Sequence, residues 1–261
     1  MDNPATAGEH LRQLRRHAKL SQLDLALITG ISQRHLSCLE TGRAKPSPGT
    51  LHNLLSALET PLEQCNRVFL AAGFAPRYAA TPLASPAMAA IREAVSHVLH
   101  ANNPAPAILL GSHWEVLAAN ASTGVLLALA GVTPPLEGLN LLTTLLQPGG
   151  LGDHLVNAEE IRTLAWQRAS REALDNPALA ALLASLPAPA HTTPPPEMPP
   201  LVLTRVHTSR GELSFLSTFT TFGMPQDITL ASLRIEHLIP ADDATWQVMR
   251  AAHGENAALV L

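Results

Sequence analysis

The chain has 261 residues, of which 46% are hydrophobic, 15% charged and 3% aromatic, with a formal net charge of −4. That length suits one or two domains, and that much apolar material excludes a disordered chain. The net charge argues against a nucleic-acid binder until it is divided along the chain. Residues 1–78 carry nine Lys/Arg against six Asp/Glu, a net of +3, whereas residues 79–261 carry eight against fifteen, a net of −7. One region is suited to phosphates and the other is not.

Five short helices are expected over residues 9–70. In EHLRQLRRHAK, Leu11, Leu14 and Ala18 recur at helical spacing and form one apolar face. Ser21 opens SQLDLAL with Asp24 three residues on, a capping-box arrangement, and Gly30 ends that helix. Ser32 caps SQRHLSCLET, which Gly42 closes. Ser47 and Pro48 start a fourth helix with Leu51, Leu54, Leu55 and Leu58 as its buried stripe, and PLEQCNRVFLAAG makes a fifth, closed by Gly73. Residues 74–90, with Pro76, Pro82 and Pro86, read as a linker.

The second and third helices fit a helix-turn-helix. Ala26 is small enough to let the two helices approach, and Gly30 accepts the positive φ of the turn. Leu36 and Leu39 supply the buried side of the second helix, while Gln33, Arg34, Ser37 and Cys38 face outward. Gln and Arg are suited to bidentate contacts with adenine and guanine edges. Ser32 and Gln22 stand at helix starts, Gln22 placed for a phosphate, and Arg43 and Lys45 follow as backbone clamps.

The stretch LSQLDLALITGISQRHLSCLETGRAKPS resembles the XRE family, which includes the phage repressors. The resemblance covers about residues 9–70 and implies an all-α, five-helix, lambda-repressor-like DNA-binding domain over residues 1–73. It also implies a buried ion pair between Arg15 and Glu40. Cys38 stands where many members place a polar base-reading residue, and Thr29 replaces a common alanine, so the operator does not carry over. Double-stranded DNA is the expected partner, with a homodimer reading two half-sites.

From Ala105 the texture changes. AILLG and WEVLAAN are short β-type runs around a turn at Ser112 and His113. Helical patterns follow at about 121–130, 139–147, 157–174 and 177–185, then a proline-rich loop over 187–200. LVLTRVHT, GELSFLSTFTTFG and DITLASLRIEHLI are three strand candidates, the first two joined by a hairpin at Ser209–Gly211, and a last helix occupies about 241–252. This order predicts an α+β domain with an antiparallel five-stranded sheet over residues 91–261.

RYAATPL, HWEVLAANAS and GELSFLSTFTTFGMPQDITLASLRIEHLIPAD together resemble the MmyB-like regulators. That resemblance implies a PAS-like C-terminal domain that takes a small lipophilic ligand, such as a fatty acid. From strand alternation, Leu213, Phe215, Ser217, Phe219 and Thr221 share a face, with Leu233 and Ile235 expected on the same side of a neighbouring strand. Trp114, Leu213, Phe215, Phe219, Leu233 and Ile235 are therefore the ligand-site candidates, although packed core is the first reading of any single one of them and Trp114 reads as either cavity wall or core anchor.

Other chemistry finds little support. Twelve histidines form no metal motif, PGGLGD at 148–153 is neither a P-loop nor a dinucleotide fingerprint, and no G-x-S-x-G occurs. The chain is read as no enzyme, with no metal and no cofactor. Cys38 and Cys65 suggest neither a disulfide framework nor a zinc site, and a redox role for Cys38 lacks a resolving partner. The absence of a signal-peptide pattern and of an 18-residue apolar run points to the cytoplasm. The alternative is a protein-interaction module, antitoxin-like, without a small-molecule ligand.

Overall fold

The computed structural model describes residues 5–132, 138–192 and 199–259, with side chains at the C-terminal end described as far as Glu255. Part of the proline-rich loop, residues 193–198, lies outside the described residues. The chain forms two compact units: the chain to Thr81 together with Met224–Ala231, and Pro82–Gly223 together with the chain from Ser232 onward.

The first unit holds α1 (Ala7–His17), α2 (Gln22–Thr29), α3 (Gln33–Glu40), α4 (Pro48–Ala57) and α5 (Leu62–Ala71). Thr6 and Glu9 form a capping box at α1, so that helix starts two residues before Glu9. Ser21 and Asp24 form a second at α2, and Gly30 ends α2 at φ 69°. Ser32 and Ser47 each accept the third backbone N–H of α3 and α4. Leu11, Leu25, Leu36, Leu51 and Leu54 are fully buried at the centre, joined by Ala26, Leu39, Leu55, Val68 and Phe69. Leu58 ends α4 and is only partly buried against this core. Gly8 lets α1 approach α3: a Cβ there would lie 2.4 Å from the Leu39 carbonyl oxygen.

The segment after α5 is held by side chains. Asn66 accepts from the backbone N–H of Arg77 and Tyr78 and donates to the Tyr78 carbonyl. Asp227 accepts from the Thr81 hydroxyl at 2.7 Å and from its N–H at 3.1 Å.

The second unit opens with a 3-10 turn (Pro86–Met88) and α6 (Ala89–Ala101). Strands β1 (Ala107–Leu110) and β2 (Val116–Ala119) follow, then α7 (Ala121–Leu129), α8 (Leu141–Leu146), a 3-10 turn (Leu151–His154), α9 (Ala158–Ala173) and α10 (Pro177–Ser185). The chain then forms β3 (Thr204–Thr208), β4 (Gly211–Thr221), β5 (Arg234–Pro240) and α12 (Asp243–Leu259), while the short α11 (Ile228–Ser232), between β4 and β5 in sequence, falls in the first unit up to Ala231. The five strands make one sheet in the order β2-β1-β5-β4-β3, with every pairing antiparallel. The β3–β4 hairpin turns at Gly211, φ 101°.

Two strand expectations change. DITLASLRIEHLI is helical over Ile228–Ser232 and extended only from Arg234. The cause is Asp227, whose carboxylate accepts the N–H groups of Thr229 and Leu230 and starts a helical turn there. LVLTRVHT joins the sheet only from Thr204. The expected common face also changes. Ile235 pairs with Thr220, and Phe219 pairs with Glu236. Directly paired residues share a face and neighbours alternate, so Ile235 points away from Phe215 and Phe219.

Candidate functional site

Helix α3 presents one side to solvent and one to the core. Ser32, Gln33, Arg34 and His35 are exposed, Ser37 and Cys38 are half-buried, and Leu36 and Leu39 are buried. The Ser32 hydroxyl is already committed to the His35 N–H at 3.1 Å. Its role in this state is therefore to cap the helix. His35, not singled out in the sequence, stands beside Gln33 and Arg34 on the exposed first turn.

The far end of α3 is anchored. Glu40 is buried and takes a bidentate pair from Arg15, Nε to Oε1 at 2.6 Å and Nη2 to Oε2 at 2.9 Å. Arg15 Nη1 donates to the Leu20 carbonyl, so the same guanidinium ties α1, the α1–α2 turn and α3. Gln22 donates from Nε2 to Glu40 Oε2 at 2.8 Å. That contact turns the Gln22 amide toward the ion pair, where the sequence reading placed it at a phosphate. Burial pushes the Glu40 carboxyl up, but the hydrogen bonds from Arg15 and Gln22 outweigh it and hold the group below the ordinary carboxylate range. Arg43 and Lys45 are exposed after α3, and Arg43 Nε donates to the Thr41 hydroxyl at 3.1 Å.

The second unit contains a cavity of about 670 Å³ beside α6 and strands β1 and β2, a volume typical of small-molecule pockets. Val95, Leu99, Leu109 and Leu117 supply apolar wall, and Arg92, His100 and His253 supply polar groups. None of the six sequence-proposed ligand residues lines it. Leu213 and Phe215 pack with Val125, Leu126 and Met249 of α7 and α12. Leu233 is buried just before β5, and Ile235 borders a small cavity of about 60 Å³ against α6.

Trp114 and Phe219, by contrast, meet around two arginines. The Arg168 guanidinium of α9 lies 3.8 Å from the centre of the Phe219 ring and 5.8 Å from that of Trp114. Arg234 lies 4.8 Å from the Trp114 ring centre. Glu172 joins the group, accepting from Trp114 Nε1 at 2.8 Å, Arg168 Nε at 2.9 Å and Arg234 Nη1 at 3.2 Å. Trp114 itself sits at φ 66°, a left-handed conformation unfavourable for a bulky residue and found mainly where surrounding contacts enforce it. Sequence reasoning missed Arg168, Glu172 and Arg234. The available signals were the i,i+4 spacing of Arg168 and Glu172, and the charged residues of the Arg-Ile-Glu run that opens β5.

Among the described residues, no group of three His, Cys, Asp or Glu side chains is placed to hold a metal, and no helix is long and apolar enough to cross a membrane.

A five-helix unit with an exposed, anchored third helix, followed by an α+β unit with a cavity, defines a helix-turn-helix regulator carrying a ligand-binding domain. The comparisons agree. Residues 6–68 match a helix-turn-helix domain and residues 91–252 match the MmyB-like transcription regulator ligand binding domain. The chain belongs to the MmyB-like transcription regulators. RghRB of Bacillus subtilis (strain 168), an uncharacterized HTH-type transcriptional regulator, is 42% identical over 57 residues, 22% of this chain and 41% of its own length. The uncharacterized HTH-type transcriptional regulator y4dJ of Sinorhizobium fredii (strain NBRC 101917 / NGR234) is 40% identical over 58 residues, 22% of this chain and 75% of its own. The crystal structure of the restriction-modification controller protein C.AhdI from Aeromonas hydrophila covers 23% of this chain and 89% of its own, with 29% identity and a TM-score of 0.22.

Proposed function

We propose that this protein binds double-stranded DNA sequence-specifically as a homodimer, reading bases through the first turn of α3. The division of labour runs between a DNA-binding domain at 1–73 and a ligand-binding domain at 91–261, joined by 74–90. The observation that carries the reading is the pairing of exposed Gln33 and Arg34 with a helix anchored at its other end by buried Arg15 and Glu40. A reading helix gains specificity from rigid presentation of a few side chains, and each bidentate base contact discriminates by about 1–3 kcal/mol. Arg43 and Lys45 act on the phosphate backbone, so their removal weakens binding to all sequences alike.

The second unit takes up a small lipophilic, fatty-acid-like ligand, and the apolar wall of the α6 cavity supports that reading. Such a ligand alters operator occupancy only if its affinity differs between DNA-competent and incompetent states.

The deciding experiment is fluorescence anisotropy with genomic operator fragments at fixed salt. The Gln33→Ala/Arg34→Ala double variant is expected to lose specific binding while retaining its helical circular dichroism. Unchanged specific binding in that variant removes the base-reading role. A second reading, a protein-binding module, draws on the apolar side chains that α2 exposes: Leu23, Ile28 and Leu27, the last with 72% of its surface in solvent.

A further inference from the structure

Arg234 lies at the start of β5, on the face of the sheet opposite the α6 cavity: Leu110 pairs with Arg234, whereas the cavity-lining Leu109 pairs with Ile235. Its side chain is nine-tenths buried, at 10% exposure. Nη1 is satisfied by Glu172, but Nε and Nη2 are buried with no hydrogen-bond partner among the described residues. These two nitrogens form one edge of the guanidinium, the planar fork that matches the two oxygens of a carboxylate. A buried donor left unpaired is costly, and two on one charged group rarely persist without an occupant.

The surrounding charges also leave room for an anion. Glu172 is shared between Arg168 and Arg234. The other nearby carboxyl, Glu236, accepts from the Ser217 hydroxyl at 2.6 Å; burial raises it above the ordinary carboxylate range, against that hydrogen bond and both arginines. Arg168 and Arg234 thus pair with the same carboxylate, Glu172, and no pairing of Glu236 with either guanidinium is seen among the described residues. Burial likewise lowers Arg234, helped by the neighbouring Arg168 charge and opposed by Glu172. The Trp114 ring lies against Arg234, and Phe219, on the same face of the sheet, carries Arg168 stacked on its ring. Phe219 is 41% exposed and the Arg168 side chain 33%, so the cluster reaches the surface at these two side chains.

We propose that the Nε/Nη2 edge of Arg234 is a binding site for a small aromatic carboxylate, whose ring lies against Trp114 and Phe219. The site is chemically and spatially separate from the lipophilic cavity of the preceding reading and stands without it.

Isothermal titration of the full chain with sodium benzoate, at ionic strength held constant with sodium chloride, tests the assignment, with benzamide as the uncharged isostere. Benzoate is expected to bind saturably, and benzamide at least about tenfold more weakly, since the charge-assisted fork is lost. Arg234→Gln is expected to abolish binding, and Arg234→Lys, which keeps the charge but not the fork, to weaken it about tenfold or more. Glu236→Gln, which leaves Arg234 in place, is expected to bind benzoate at least as well as the parent chain. Equal binding of benzoate and benzamide overturns the proposal, as does undiminished binding by a folded Arg234→Gln. Absence of saturable benzoate binding in the parent chain also overturns it. If that absence is relieved only by Glu236→Gln, the fork serves the chain's own carboxylate.

Discussion

At the scale of single residues, Arg15 and Glu40 carry the largest electrostatic stake in the DNA-binding unit. Replacing Glu40 by Gln leaves a buried guanidinium without its counter-charge, so a loss of about 3–5 kcal/mol is expected at neutral pH, read by urea denaturation. Glu40 has a folded-state pKa below its unfolded value. Its stabilisation is therefore complete above the unfolded carboxylate pKa of about 4.3 and is lost as pH falls through the folded value. The stability gap between parent and Glu40→Gln should accordingly narrow on acidification below about pH 4. Gly8 makes a steric demand of a different kind. Gly8→Ala drives a methyl against the Leu39 carbonyl and is expected to cost about 1–3 kcal/mol, seen as a lower melting temperature. Much of this was legible in advance. The capping residues Ser21, Ser32 and Ser47 and the core leucines are local or periodic signals, and the resemblance named the Arg15–Glu40 pair. The Gln22–Glu40 hydrogen bond was not legible in advance, because the two residues are 18 apart and only the packed helices bring them together.

At the scale of elements, Asp227 decides the end of one and the start of another. Its carboxylate accepts two N–H groups at the start of α11 and both the N–H and hydroxyl of Thr81. Asp227→Ala is expected to accelerate amide hydrogen exchange at Thr81, Thr229 and Leu230, while exchange in the α4 core stays unchanged. Unaltered exchange at those three amides would show the clasp to be idle in solution. The stretch DITLASLRIEHLI has the β-branched and alternating character of a strand, and nothing local marks Asp227 as a helix start in preference to an ordinary turn residue. The contact with Thr81 spans 146 residues, beyond any window of periodicity.

At the scale of the whole molecule, the charge asymmetry sets the binding regime. With only a small basic surface on the first unit and a net of −7 over residues 79–261, operator affinity should depend on two copies binding together. Sedimentation with a two-site operator is expected to show two chains per duplex, with half-sites about 34 Å apart. Single Arg43→Ala and Lys45→Ala changes should each reduce the slope of log affinity against log salt by about one.

The helix-turn-helix was readable from residue order because its signals are short-range: caps one turn from the groups they satisfy, glycine where φ is positive, leucines at helical period. The class of the second unit was readable from the alternation of strand and helix patterns. Its chemistry was not. Whether Trp114, Phe215 or Phe219 meets core, cavity or charge depends on sheet register and on which helix covers which face. A one-residue difference in pairing sends Ile235 to one side and Arg234 to the other. Only the folded chain brings Arg168, Glu172 and Arg234 together around Trp114, because burying a guanidinium requires partners that lie 60 residues and more away along the chain.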